Sequence, residues 1–321
     1  MDTPPAIGRG GGEGECASMR KRGPGRISGD RSSDPSTCFF ASDLHGRIDR
    51  YEKLFQAIRQ ERPRAVFLGG DLLPSYLRGL SSAHEAFPDF VDDFMAPGFA
   101  RLAKALGKDY PRVFLVLGND DPRSEEAAIL AGSRRGLWEY VHHRRVRLSE
   151  FSVFGYACVP PTPFSLKDWE RYDVSRYVDP DCISPEEGTR SVRVPDPDLR
   201  KATIKADLDL LVGRSDLSHA IFLFHSPPYQ TSLDRAALDG RMVDHVPLDL
   251  HVGSIAIRRF IETCRPLLTL HGHVHESARI TGSWKDRIGR THLFSAAHDG
   301  PELALVRFRL DELEASTREL I

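Results

Sequence analysis

Short, wholly apolar runs alternate with longer amphipathic stretches from Thr37 onward, and this alternation carries the first structural information. Cys38-Phe39-Phe40-Ala41-Ser42 predicts a buried strand, because a brief apolar run bounded by polar residues fits a strand enclosed on both faces. A helical segment follows near 50–60, and Ala65-Val66-Phe67-Leu68-Gly69 repeats the strand pattern. A longer helical stretch covers about 83–106, where Pro88 and Pro97 divide it into pieces. Val113-Phe114-Leu115-Val116-Leu117 is a third buried run, and Asp121-Pro122 predicts the opening of a helix, since proline suits the first turn. This β-α-β-α-β order argues for an α/β fold with a largely parallel sheet.

Further strands are expected over 140–148 and 151–156. Residues 160–200 turn rich in Pro and Asp and are too long for an ordinary connection, so they read as an insertion. Then come a helix at about 200–212, the strand 220–224, a helix at 254–264 and the strand 267–270. The runs 291–296 and 303–308 read as strands of a second sheet. Residues 1–36 are Gly-, Arg-, Ser- and Pro-rich and hold few large apolar groups, so they are expected to form a disordered extension. Met19 is a second candidate start within it. The folded domain is expected at 37–321.

Composition narrows the function classes. With 321 residues, 40% hydrophobic and 28% charged, the chain can bury a full core. A net charge of −2 offers no electrostatic reason to expect nucleic acid as the main partner. The five cysteines are scattered and form no Cys-x-x-Cys pair, which fits a reducing cytoplasm and argues against a disulfide framework. No apolar run reaches the ~20 residues of a membrane span, and no apolar segment follows the basic N-terminus as a secretory leader requires.

The candidate chemistry sits where the apolar runs stop. Asp43-Leu44-His45, Gly70-Asp71, Gly118-Asn119-Asp120, His225 and Gly272-His273-Val274-His275 occur in that order. Ligands of open α/β sheets gather at the carboxyl ends of strands, so the five sites are expected to converge. The i, i+2 pairs Asp43/His45 and His273/His275 point to one face in extended backbone and can share an ion. Together the motifs supply seven metal-seeking side chains.

In these motifs the chain resembles the calcineurin-like metallophosphoesterases, whose pattern is Asp-x-His, Gly-Asp, Gly-Asn-His, His and Gly-His-x-His. The resemblance spans roughly residues 37–296 and implies a four-layer α/β/β/α sandwich of two mixed sheets. It further implies that Asp43, His45 and His275 bind one ion, that Asn119, His225 and His273 bind the other, and that Asp71 bridges them. The implied cofactors are two divalent or trivalent transition-metal ions. Mixed nitrogen and oxygen donors suit Mn, Fe, Zn, Co or Ni over Mg or Ca. The family's reaction is in-line attack on phosphorus by a hydroxide held between ions ~3.5–4 Å apart.

One position departs from the family. Its Gly-Asn-His histidine, near the leaving group, is Asp120 here. Two nearby cations favour an ionised aspartate with no proton to give. The bland alternative for Asp120 is a cap on the helix expected after Pro122. The departure leans the expectation towards a phosphodiesterase acting on a small phosphoester with a good leaving group. A metal-binding regulatory or scaffold protein of the same fold is the competing reading. His251, before the helix at 254, and His298 are candidate proton donors, and Arg47 is a candidate for a substrate oxygen. His271 is expected to pack beside the site. The metal identity, the substrate and the oligomeric state are not legible.

Overall fold

A computed structural model describes residues 36–75 and 87–321, together with Met1. The extension expected at 1–36 lies outside the described residues apart from its two end positions, as do His84 and the first residues of the helix expected at 83–106.

The apolar runs become strands. β1 (Thr37–Ala41), β2 (Ala65–Gly69) and β3 (Arg112–Val116) are parallel neighbours, in register at Ala41↔Leu68 and Gly69↔Val116. They are joined through α1 (Ile48–Glu61) and α2 (Ala96–Leu106). α3 (Glu126–Arg134) leads to the two-residue β4 (Glu139–Tyr140), then β5 (Arg144–Leu148) and β6 (Phe151–Tyr156). α4 (Ile204–Val212) precedes β7 (Ala220–Phe224), and the small hairpin β8 (Met242–Val243) with β9 (Val246–Pro247) follows. α5 (Ile255–Cys264), β10 (Leu268–His271), β11 (Lys285–Ile288), β12 (Thr291–Ser295), β13 (Ala304–Arg309) and β14 (Thr317–Leu320) complete the chain.

Two mixed six-stranded sheets result. Their orders are β14-β13-β1-β2-β3-β4 and β11-β12-β10-β7-β6-β5. β2 and β3 face β6 and β7 across the interface, while α1 packs on α2 and α4 on α5. This is the α/β/β/α sandwich. The inner strands β2 and β7 are buried along their whole length, which is why they read as unbroken apolar runs.

Four expectations need correction. The run 140–148 is not one strand: Glu139–Tyr140 pairs with β3, whereas Arg144–Leu148 pairs with β6 in the other sheet. The chain changes sheets between them, with His143 at φ 52°. The run 303–308 does not join the second sheet, because β13 pairs antiparallel with β1 in the first. The stretch around Pro97 is a π-turn (Phe90–Met95) running into α2. Pro97 stands in the first turn of α2 and does not break the helical run. Pro122 does not open a helix either: it is extended, and after a short 3₁₀ turn α3 begins at Glu126. The Asp121 carboxylate turns inward instead, accepting N–H bonds from Gly118, Leu72 and Leu73.

Candidate functional site

The parallel strands bring their carboxyl ends to one edge. Asp43 and His45 follow β1, Asp71 follows β2, Asn119 follows β3, His225 follows β7, and His273 and His275 follow β10. Backbone bonds tie these turns together: Asp43 N–H to Gly70 O, His45 N–H to Asp71 O, and Gly272 N–H to His225 O. Four of the seven residues adopt the left-handed region: Asp43 (φ 57°), His45 (48°), Asp71 (52°) and His273 (76°). Non-glycine residues avoid that region, so four instances in one site mark backbone held by its surroundings against local preference. The motif glycines are dictated by space. A Cβ on Gly118 would lie 2.3 Å from Asp71 Oδ1, and one on Gly70, itself at φ 95°, would lie 2.5 Å from His225 Nδ1.

The side chains converge in two groups that share Asp71. In the first, His45 Nε2 is 3.1 Å from His275 Nε2, His275 Nε2 is 3.3 Å from Asp43 Oδ1, and His45 Nε2 is 3.9 Å from Asp71 Oδ2. These four residues offer ligand atoms within 4.8 Å of one another, a set able to hold a metal ion. In the second, His225 Nε2 is 3.0 Å from Asn119 Oδ1 and 3.4 Å from the other Asp71 oxygen, Oδ1, with the His273 ring 5.2 Å from that of His225.

The donor set fits a metal centre. Ligands ~2.1 Å from one cation stand about 3.0–3.4 Å apart from each other, close to the separations seen. Asp43 Oδ2 is buried and has no hydrogen-bond partner. Leaving a carboxylate oxygen buried and unpaired is costly unless a cation completes it. His225 donates its Nδ1–H to Gly69 O (2.8 Å), which aims its Nε2 into the cluster.

Electrostatics follow from the crowding of unlike groups. Burial pushes the Asp43 carboxyl up, but the His275 hydrogen bond and the nearby imidazoles outweigh it and hold it at about 2. Asp71 is likewise driven well below the usual carboxylate range, burial being overcome by His225 and His45. Burial opposes charge on His225, yet Asp71 and Asp43 raise it to about 9. Burial and the His225 charge push His273 down. His271 is buried, stacks on Phe224 and bonds Ser226 O and Thr269 Oγ1, so it packs beside the site as expected.

Asp120 is not a helix cap. Its Oδ2 lies 3.2 Å from His45 Nδ1, its Oδ1 accepts from Ser75 Oγ at 2.8 Å, and its N–H donates to Asp71 Oδ1 at 2.8 Å. The other candidates are not brought to the cluster by any contact among the described residues. His251 Nδ1 bonds the buried Asp234 at 2.8 Å. His298 bonds Glu302 at 3.0 Å, and Arg47 folds onto Asp49 at the start of α1. Sequence reasoning missed Arg50, which is buried and donates to Asp43 O and Gly300 O. The signal was present: Arg50 shares the buried face of α1 with Tyr51, Leu54 and Ile58, where a charge needs a reason. Ser75 carried no such signal.

The comparisons with known proteins agree with this geometry. A model of the calcineurin-like phosphoesterase family matches residues 37–277. The chain therefore belongs to the calcineurin-like phosphoesterases, enzymes that hydrolyse phosphoester bonds with the help of metal ions. One solved crystal structure aligns over 89% of this chain and 99% of its own, at 16% identity and a TM-score of 0.55. The protein TT1561 of Thermus thermophilus aligns over 89% and 98%, at 16% identity and a TM-score of 0.50. A dimetal phosphatase from Danio rerio aligns over 89% and 96%, at 12% identity and a TM-score of 0.48. At such identities the first two speak for the fold alone. No curated protein matches the chain.

Proposed function

We propose that the chain is a dinuclear metal-dependent phosphodiesterase whose domain begins near residue 37. The observation that carries this reading is the two-sided placement of Asp71, with Oδ2 towards His45 and Oδ1 towards His225. One carboxylate offering one oxygen to each of two donor groups is what a bridging ligand requires. Asp43, His45 and His275 would hold one ion, and Asn119, His225 and His273 the other, with manganese among the fitting metals. When bound, the ions polarise the phosphoryl group and acidify water at neutral pH.

The chain's own residues do the rest. Asp120 accepts from His45 Nδ1, which keeps Nε2 free to ligate. Committed to that bond and to Ser75, Asp120 is an acceptor and does not itself replace the family histidine as a proton donor. Diesters with good leaving groups need that proton least, which supports the diesterase reading. We further propose a cytoplasmic location, supported by free thiols at Cys38, Cys158, Cys182 and Cys264. Among the described residues no helix is long and apolar enough to cross a membrane.

The same Asp120 commitment is what favours the second reading, a metal-binding regulatory protein with little catalysis. Turnover of bis-p-nitrophenyl phosphate and p-nitrophenyl phosphate in added Mn²⁺ tests both. The diesterase reading predicts faster turnover of the diester, lost in Asp71→Asn. Equal or faster monoester turnover contradicts it, and a trace rate unchanged in Asp71→Asn favours the regulatory reading.

A further inference from the structure

A cavity of ≈ 710 Å³ outside the metal-seeking cluster has a cationic lining. Arg123, Arg171, Arg193 and Lys201 contribute to its wall, together with the apolar Val192 and Val194, and among the residues whose side chains are described no acidic one does. Arg123 and Arg171 are half-buried, with side-chain exposures of 30% and 20%, while Arg193 and Lys201 are exposed. The acids that face the two half-buried cations stand outside the lining: Glu126 is 3.3 Å from Arg123, and Asp207 is 3.8 Å from Arg171. Neither Arg193 nor Lys201 has an ion pair among the described residues. Among the described residues the charges of Arg193 and Lys201 are thus left without an acid partner, in a space large enough for a nucleotide-sized group.

Its position links it to the reaction. Arg123 follows Asn119 by four residues, so their Cα atoms are at most ~15 Å apart. The turn between them is braced from the opposite wall: Trp169 Nε1 donates to Asp121 O, and Arg123 N–H donates to Asp168 Oδ2. Arg171 follows the carboxyl end of β6, which adjoins β7 and His225. Two of the lining residues, Arg123 and Arg171, thus belong to segments that follow strand ends on the cluster's edge. Half-buried His142 answers to the same charges: desolvation, His143, Arg123 and Arg171 all press it towards the neutral form. A second arginine-lined cavity, at Arg265 and Arg290, lies before β10 and β12 on the opposite edge and includes Glu262.

We propose that the Arg123–Arg171–Arg193–Lys201 cavity is an anion subsite that receives a second phosphate of the substrate, so that the enzyme selects polyanionic phosphodiesters. Guanidinium groups pair phosphate oxygens bidentately, and two half-buried ones backed by two exposed cations form a graded funnel for such a group. The 160–200 insertion supplies most of the wall, which gives that segment a role in selectivity. The inference rests on the phosphodiesterase reading for its turnover arm, but its binding arm is independent of it.

The test compares p-nitrophenyl esters of thymidine 5′-phosphate with and without a 3′-phosphate, alongside bis-p-nitrophenyl phosphate. Expected are a lower KM for the 3′-phosphorylated diester in the native chain and its loss in Arg193→Glu/Lys201→Glu. KM for that substrate should rise about tenfold or more while kcat and both other substrates hold steady. Arg290→Glu, a charge reversal on the opposite edge, should alter none of these. No preference in the native chain, an equal effect on all substrates, or an equal effect of Arg290→Glu overturns the proposal. Calorimetric binding of thymidine 3′,5′-bisphosphate to the metal-free chain separates the two ideas. Binding lost in the double variant supports the subsite even if no diester is turned over, and no binding to the native chain sinks it.

Discussion

Asp120 shows how one side chain can exchange one role for another. Where the family histidine would stand near a leaving group, this carboxylate bonds His45 Nδ1 and Ser75 Oγ. Carboxylates behind a ligating imidazole fix its tautomer and raise its basicity, and losing them costs roughly 10–100-fold in metal affinity. Asp120→Ala should therefore weaken metal binding by about that factor while leaving the far-ultraviolet circular dichroism unchanged, which titration with Co²⁺ would read. Undiminished affinity would reduce Asp120 to a bystander. His225 adds a pH dependence. In the metal-free chain Asp71 and Asp43 raise it to about 9 against burial, and a metal must displace its proton. Apparent affinity should then climb with pH about tenfold per unit up to about 9 and level off above it. An unperturbed imidazole would level off near 6.5. Metal titrations from pH 7 to 10 distinguish the two curves.

Among the elements, the turns after the strands carry more of the design than the strands do. The apolar runs at 38–42, 65–69, 113–117 and 220–224 were legible because inner strands buried on both faces must be apolar throughout. What was not legible was partnering. Leu303–Phe308 joins β1 rather than the second sheet, and the 140–148 run splits between sheets, because strand pairing is decided by distant contacts that a local pattern does not encode. Helix starts failed for a similar reason at Pro122, where Asp121 serves buried backbone N–H groups from another loop. The turn glycines are testable directly. Gly118→Ala drives a Cβ into Asp71 Oδ1, so the turn must shift and metal content should fall sharply. A variant that keeps full metal content would show the turn to be tolerant. Within the insertion, Lys167 and Glu170 form a fully buried pair at 2.6 Å, with Thr162 donating two further bonds to Glu170. Lys167→Met leaves Glu170 buried without its cation and should cost about 3–5 kcal/mol in urea unfolding. A loss under about 1 kcal/mol would mean that the site relaxes into solvent.

Taken as a whole, the molecule is a device for bringing seven side chains from five strand ends to one edge. The motif order was readable from sequence because each motif terminates a run that had to be a strand, and the family resemblance then supplied the layered architecture. The buried Arg50, the partly buried Ser75 and the cationic cavity were hidden because their partners come from far along the chain. The partners of His251 and His298, Asp234 and Glu302, lie only 17 and four residues away, so sequence distance does not explain why they were missed. The central claim is that Asp71 joins two cation sites, and metal counting tests it most directly. Elemental analysis of the Mn²⁺-loaded, desalted protein should give two ions per native chain and fewer in Asp71→Asn. One ion or none in the native chain, or an unchanged count in the variant, would contradict it.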